Sequence, residues 1–198
     1  QIDRTYLQAL IRYNAALQER NKLLKMSPAE DMLLIYDNML AASAEVIFTR
    51  RKEMIATMQP LVEQYYALLS EERESIGLEY RSEMEHTPLL EQLLNACQRD
   101  FVNEHTTCGP HRDDMVLSIR DYPLRKFGSQ GQQKSFLVAL KLAEYTILAE
   151  RCSERPILLL DDLFDKLDMR RVAQLLKLVG GDDFGQIFIT DCNKHRLE

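Results

Sequence analysis

With 198 residues, 45% of them hydrophobic and 28% charged, the chain has apolar content for one large packed core or two small ones. Seven Gly, six Pro and the lack of a low-complexity tract exclude an intrinsically disordered segment, and no unbroken apolar run of about 18 residues points to a membrane span. A formal net charge of −6 excludes a protein that coats nucleic acid indiscriminately, so any DNA contact has to be a local patch.

The basic runs are Arg50-Arg51-Lys52, Arg125-Lys126, Arg170-Arg171 and Lys194-His195-Arg196, and each also suits an ordinary solvated face. Cys97, Cys108, Cys152 and Cys192 show neither C-x-x-C spacing nor zinc-finger spacing, which predicts small buried thiols in a reducing, cytoplasmic setting. The opening Gln1-Ile2-Asp3-Arg4 has no leader pattern and reads as the cut edge of a longer chain.

From Tyr6, the residues Leu7, Leu10, Ile11, Leu17 and Leu24 recur at helical spacing and predict a helix ending near Met26. Ser27-Pro28-Ala29-Glu30 then combines a capping Ser, a Pro at the first helical position and a Glu three residues after the cap, which starts a second helix. Its apolar set Leu33, Tyr36, Leu40 and Ile47 continues to Pro60, about 30 residues and about 45 Å, so the pair makes a hairpin of helices.

Leu61 to Leu69 reads as further helix, and Ile76, Leu78 and Tyr80 alternate as in a half-buried strand. Thr87-Pro88 opens another helix through Phe101. Turn residues and short apolar runs follow, which places a functional boundary near His105. The domain expectation is a helical arm over 1–105, with a strand near 76–82 belonging to the second part, and an α/β part over 106–198.

In that second part, Val116 to Ile119 and Leu124 to Phe127 predict a hairpin turning at Arg120-Asp121-Tyr122-Pro123. A helix from Gln130 to Arg151, an apolar strand Ile157 to Leu160, a helix from Asp168 to Val179 and a strand Gln186 to Thr190 follow. Apolar strands separated by helices predict a parallel sheet buried on both faces.

Two segments carry chemistry. Ile157-Leu158-Leu159-Leu160-Asp161-Asp162 is an apolar strand ending in paired carboxylates. At the carboxyl end of a parallel strand the first acid reaches a magnesium-bound water beside nucleotide phosphates and the second orients an attacking water, although a helix-capping Asp gives the same pattern. Upstream, Phe127-Gly128-Ser129-Gln130-Gly131-Gln132-Gln133-Lys134 precedes a long helix. Ser129 and the amides near Gly131 suit a γ-phosphate at a helix N-terminus, and they equally suit a tight turn with a simple cap.

The order of these segments resembles the C-terminal half of ABC ATPase heads: a Ser-x-Gly-Gln helix start, a long helix, an acid-ending strand, then Asp165-Lys166-Leu167-Asp168. Together with Gly109-Pro110-His111-Arg112-Asp113-Asp114 and the opening run from Tyr6 to Lys25, the match narrows to the RecF family of bacterial recombination mediators. The fold it implies is α/β, the C-terminal part of an ABC-type head with P-loop-like parallel sheet, plus a projecting α-helical arm.

The same resemblance implies ATP and Mg2+ as ligands, and a homodimer that closes around two nucleotides. It also implies double-stranded or gapped DNA and a RecR-type mediator as partners, in the cytoplasm, during recombinational repair at gaps. Ser129, Gln130, Gly131 and Gln132 would act on nucleotide held by the other subunit, with Asp165 and Asp168 as the D-loop. Asp161 would hold magnesium through water and Asp162 would polarise the attacking water. DNA-contact candidates are Arg50, Arg51, Lys52, Arg125 and Arg170.

The chain departs from the pattern in three ways. Asp162 stands where most ABC proteins have Glu, which predicts slow hydrolysis. Thr190 is followed by Asp191 rather than the switch histidine, and His195 takes no assigned role. No G-x-x-x-x-G-K-[ST] occurs, so the chain alone is expected not to turn over ATP, and sheet neighbours missing from it are expected to leave apolar surface exposed. In the loop Gly109 to Asp114, Arg112 is expected to pair with a neighbouring acid. Competing readings are a non-catalytic helical protein-interaction module and another SMC-like chromosome-structuring ABC protein, the latter disfavoured because the helices lack sustained heptads.

Overall fold

A computed structural model describes residues 3–26, 30–152, 154–161, 167–181 and 183–190. The elements are α1 (Arg4–Leu24), α2 (Glu30–Ser70), β1 (Ile76–Arg81), α3 (Leu89–Asn103), β2 (Asp114–Ile119), β3 (Tyr122–Pro123), α4 (Leu124–Phe127), α5 (Gln130–Arg151), β4 (Leu158–Leu160), α6 (Met169–Val179) and β5 (Ile187–Ile189). They form two compact units, 1–54 with 80–115 and 55–79 with 116–198. Each unit draws on two stretches of chain.

The first unit is helical. The Asp3 side chain caps α1 by accepting the Tyr6 N–H at 3.0 Å. Ala9, Tyr13 and Ala16 of α1, Leu40, Ala44 and Ile47 of α2, and Leu89, Leu93 and Ala96 of α3 meet in one core. Each set repeats at three or four residues, so one stripe per helix is buried. Full burial of each Leu or Ile contributes about 1.5–3 kcal/mol, and Leu93→Ala would cost about 2–5 kcal/mol.

A charged cluster also lies inside this unit. Arg20 is fully buried; its Nε donates to Asp37 at 2.5 Å and its Nη1 to Asp100 at 2.7 Å and to the Thr106 hydroxyl at 2.8 Å. Asp100 in turn accepts the Thr107 N–H and hydroxyl. The cluster joins α1, α2, α3 and the following loop, and removing one partner would leave a buried charge uncompensated.

α2 differs from expectation, since it continues as a helix of 41 residues through Pro60. Proline removes one intrahelical hydrogen bond, but apolar rows on both sides, Ile47 in the first unit and Val62, Tyr66 and Leu69 in the second, keep the helix going. The same helix has an 18-residue window of mean hydropathy 1.3, long and apolar enough by itself to cross a membrane, contrary to the reading from apolar runs. Its buried rows and the interposed Asp37, Asn38 and Glu45 are those of a core helix. The Ser27-Pro28-Ala29 start signal lies outside the described residues.

The second unit holds a larger core. Val62, Tyr66 and Leu69 of α2, Phe136, Ala139 and Leu142 of α5, Val172, Leu175 and Val179 of α6, and Leu158 and Leu160 of β4 all belong to it. β4 and β5 pair in parallel with Leu158 opposite Ile187, Leu159 opposite Phe188 and Leu160 opposite Ile189. Because strand side chains alternate, Leu158 and Leu160 turn to the helices while Leu159 and its partner Phe188 stay 70% and 51% exposed. One face of this pair is therefore bare, not buried on both faces as the apolar strands suggested.

β1, β2 and β3 form a second sheet in that order. β2 and β3 make an antiparallel hairpin, with Ile119 opposite Tyr122. The turn is only Arg120-Asp121, with φ of 47° and 65°, the left-handed geometry that suits a two-residue hairpin loop. Leu124 to Phe127, expected as the second strand, is instead the one-turn helix α4. Pro123, with no N–H, ends the ladder, and Leu124 turns inward to the core. Pro88, not Thr87, sits at the N-cap of α3 and makes no side-chain cap bond.

Candidate functional site

Ser129 is the N-cap of α5, and with Gln132 it forms a capping box. The Ser129 Oγ accepts the Gln132 N–H at 3.3 Å, and the Gln132 Oε1 accepts the Ser129 N–H at 2.7 Å. By helix geometry the N–H groups of Gln130 and Gly131 have no intrahelical partner. A hydroxyl that accepts a cap bond still has its own hydrogen to donate. Capping and anion binding at Ser129 are therefore compatible.

A polar network braces this turn. The Gln132 Nε2 donates to Glu74 at 2.8 Å, Tyr66 donates to the same carboxylate at 2.6 Å, and the Arg171 Nη2 does so at 3.1 Å. Arg171 also donates to the Ser135 hydroxyl at 2.7 Å, and Ser135 to the Gly131 carbonyl at 2.8 Å. Partial burial pushes the Glu74 carboxyl up, but bonds from Tyr66, Gln132 and Arg171 outweigh it and hold the group below the usual range. Glu74, Tyr66, Ser135 and Arg171 carry no sequence signal for this role. Glu74 sits in the charge run Glu71 to Glu74, and Arg171 was read as half of a basic run.

Asp161 follows β4 and is exposed, at the carboxyl end of the parallel pair. Thr190, one residue beyond β5, donates its N–H to the Leu160 carbonyl at 3.0 Å and its hydroxyl to the Asp161 Oδ1. One carboxylate oxygen is thus oriented, and a single exposed carboxylate fits a magnesium held through water, since that ion keeps most of its hydration. Asp162 and Asp165 lie outside the described residues. Asp168 caps α6, its Oδ1 accepting the Arg171 N–H at 2.9 Å.

The basic candidates differ in their compensation. Arg50 pairs with Asp3 at 3.1 Å and Glu53 at 2.8 Å. Lys52 pairs with Glu85 at 3.0 Å. Arg51 donates to Tyr6 at 3.2 Å and to the Pro110 carbonyl at 2.6 Å, and lies 3.7 Å from Asp113. Arg125 and Arg170 are exposed and make no ion pair among the described residues.

The loop from Gly109 is set by Arg51, not Arg112. Arg112 forms no ion pair among the described residues, while Asp113 accepts from Tyr80 and faces Arg51. Side chains adjacent on a tight turn diverge, so the partner comes from a helix distant in sequence. Gly109 has φ of 111°, and a Cβ there would stand 2.6 Å from the Tyr13 hydroxyl, so only glycine fits. His111 is held at both nitrogens, by the Tyr13 hydroxyl at 2.8 Å and the Thr106 carbonyl at 3.2 Å.

No family model matches the chain. Curated relatives do, over its whole length. It is 44% identical over 200 residues to the DNA replication and repair protein RecF of Bacteroides fragilis, 41% over 199 residues to that of Parabacteroides distasonis, and 40% over 203 residues to that of Flavobacterium johnsoniae. The chain spans about half of these relatives, 54% of the first two and 56% of the third.

Among solved structures, the recombination mediator protein RecF-ATPrS in the RecFOR pathway matches with a TM-score of 0.84 and 31% identity, over 100% of this chain and 56% of that one. The RecF-ATP structure matches at 0.82 and 30%, over 98% and 54%. The fold is accordingly α/β, the C-terminal part of an ABC-type ATPase head with a helical arm. Along its full length the chain matches RecF proteins in sequence and fold, and it spans about half the length of the curated relatives it matches.

Proposed function

We propose that this chain is the signature-bearing half of an ATP-dependent DNA-binding protein of cytoplasmic recombinational repair, one that dimerises on ATP and works with a RecR-type mediator at DNA gaps. The observation that carries the proposal is the start of α5. There a capped Ser129 retains a hydroxyl hydrogen to donate, beside helix N–H groups that no intrahelical acceptor uses.

In this reading Ser129, Gln130 and Gly131 bind the γ-phosphate of nucleotide held by the second subunit. The Gln132 N–H and amide are committed to the cap and to Glu74, so Gln132 positions the turn and does not itself touch phosphate. Asp161, oriented by Thr190, would hold magnesium through water, which would supply positive charge beside the phosphates. Asp162 orients the attacking water. Asp168 fixes the start of α6 and, through Arg171, the Glu74 network.

Duplex contact falls to Arg125 and Arg170, because Arg50, Arg51 and Lys52 all face carboxylates or carbonyl groups. Changing Arg125 or Arg170 to Ala should lessen the salt dependence of duplex binding by about one counterion each, and changing Arg50 should not. To test the nucleotide reading, sedimentation is compared with and without ATP for a longer chain that includes the rest of its relatives' length. ATP should drive dimerisation, and Ser129→Arg should abolish it. An ATP-independent state, or dimerisation indifferent to the substitution, contradicts the reading.

A further inference from the structure

The side-chain amide of Gln132 is bonded in two directions. Its Oε1 accepts the Ser129 N–H at 2.7 Å, and its Nε2 donates to the Glu74 Oε1 at 2.8 Å. A carboxylate only accepts and an N–H only donates, so the amide sits in one orientation alone. From Glu74 the bonds run on in a closed ring. The Glu74 Oε2 accepts the Arg171 Nη2 at 3.1 Å, the Arg171 Nη1 donates to the Ser135 hydroxyl at 2.7 Å, and that hydroxyl donates to the Gly131 carbonyl at 2.8 Å. Gly131 precedes Gln132 in the chain, which closes the ring.

The ring is set well inside the second unit, to which all its members belong. Ser135 is 1% exposed, and the side chains of Glu74 and Arg171 are 11% and 14% exposed. Arg171 anchors the far side, since its backbone N–H donates to the Asp168 cap at 2.9 Å and its Nε lies 3.6 Å from the same carboxylate. The N–H groups of Gln130 and Gly131 have no intrahelical acceptor. They stand between two held points, the Ser129 N–H on one side and the Gly131 carbonyl on the other. Charge-assisted bonds away from water hold such a turn more firmly than a capping box open to solvent.

We propose that Glu74, Ser135 and Arg171 are positioning residues for ATP turnover, holding the Gln130 and Gly131 N–H groups and the Ser129 hydroxyl in the orientation that meets a γ-phosphate. None of the three touches the phosphate. They act through the Gln132 amide and the Gly131 carbonyl. Donors aimed at charge that develops in a transition state work because they are already in place, and a misplacement of about 1 Å lowers the rate about 100-fold. A capping box alone leaves the Gln132 Nε2 free to turn to water, and the ring removes that freedom. The inference rests on the phosphate-binding reading of Ser129 and adds to it the residues that set its geometry.

The test reverses one bond of the ring in a longer chain that includes the rest of its relatives' length. In Gln132→Glu the new carboxylate still accepts the Ser129 N–H, as Glu does in a capping box, but it faces the Glu74 carboxylate. In Glu74→Gln one amide oxygen is left to accept from Gln132, Tyr66 and Arg171. Combining the two lets the amide at position 74 donate to the carboxylate at 132 while its oxygen still accepts from Tyr66 and Arg171. ATP turnover is then measured against ATP concentration. A turn that acts as charge develops on the γ-phosphate changes kcat and leaves KM. Each single variant should lower kcat about 10- to 100-fold with KM within about twofold, and the double variant should recover to within about fivefold.

Unchanged kcat in both single variants, or a double variant as slow as either, overturns the proposal. Leu93→Ala, in the core of the first unit, is the control for lost stability. An equal fall of kcat in that variant also overturns the proposal and makes the ring a structural brace. Ser129→Arg, run alongside, separates this inference from the reading beneath it. If it stops turnover while the ring variants do not slow it, only the ring proposal fails. If turnover persists in it, the phosphate reading fails and the ring proposal with it.

Discussion

Replacing Glu74 by Ala removes the acceptor shared by Tyr66, Gln132 and Arg171. A hydrogen bond to a charged group contributes about 1.5–3 kcal/mol net, so three such bonds taken additively set an upper bound of about 4.5–9 kcal/mol, well above the real loss. Arg171 keeps Ser135 at 2.7 Å and Asp168 at 3.6 Å, and the freed Gln132 amide turns to water. What remains is a mostly buried guanidinium and phenol with one partner fewer, so the cost should be about 2–4 kcal/mol.

Urea denaturation followed by circular dichroism measures this directly. Glu74→Gln, which keeps an acceptor but loses the charge, should cost about half as much. The Glu74 carboxyl is held below its ordinary value of 4.5, so its contribution is complete above about pH 4.5 and is lost as pH falls through the lowered value. The difference between Glu74→Ala and the unsubstituted chain should therefore shrink in acid. A loss under about 0.5 kcal/mol at neutral pH, or one that grows on acidification, would mean that Glu74 does not hold this turn.

The hairpin turn gives a second check. Asp121 has φ of 65° at the second turn position, so Asp121→Gly should stabilise by about 0.5 kcal/mol and Asp121→Val destabilise by about 1–2 kcal/mol in thermal melts. His111 gives a third, because partial burial pulls its pKa below the ordinary 6.5 despite its bond to the Thr106 carbonyl. The unfolded chain then binds that proton at higher pH than the folded one, so stability is complete above about pH 6.5 and declines as pH falls through the lowered value. His111→Gln should flatten this part of the stability profile, and an unchanged slope would place the titration elsewhere.

The elements legible in the sequence were those with local punctuation. The Ser129 cap and the apolar helix behind it gave α5 over Gln130–Arg151, and alternation gave β1. What stayed hidden depended on partners far away in the chain. Pro60 is a helix breaker by local rule, but core rows on both sides carry α2 through it. Leu124 to Phe127 has strand composition, but Pro123 and the pull of Leu124 into the core make it a helical turn.

The site follows the same division. Ser129, Gln132, Asp161 and Asp168 sit at element ends, as motif spacing suggested. Their supports could not be read from the chain. Glu74 lies in a run of charges, Thr190 ends a strand separate from Asp161, and Arg51 instead of Arg112 holds Asp113. Arg20 shows the limit most clearly, since a charged residue on a polar-looking helix is fully buried between Asp37 and Asp100.

Ser129 is proposed to act on phosphate as well as to cap α5. DNA-stimulated ATP turnover and ATP binding, measured together in a longer chain carrying Ser129→Arg, test it most directly. Loss of stimulated turnover with ATP binding retained is the predicted result. Turnover equal to that of the unsubstituted protein would leave Ser129 a helix cap and nothing more.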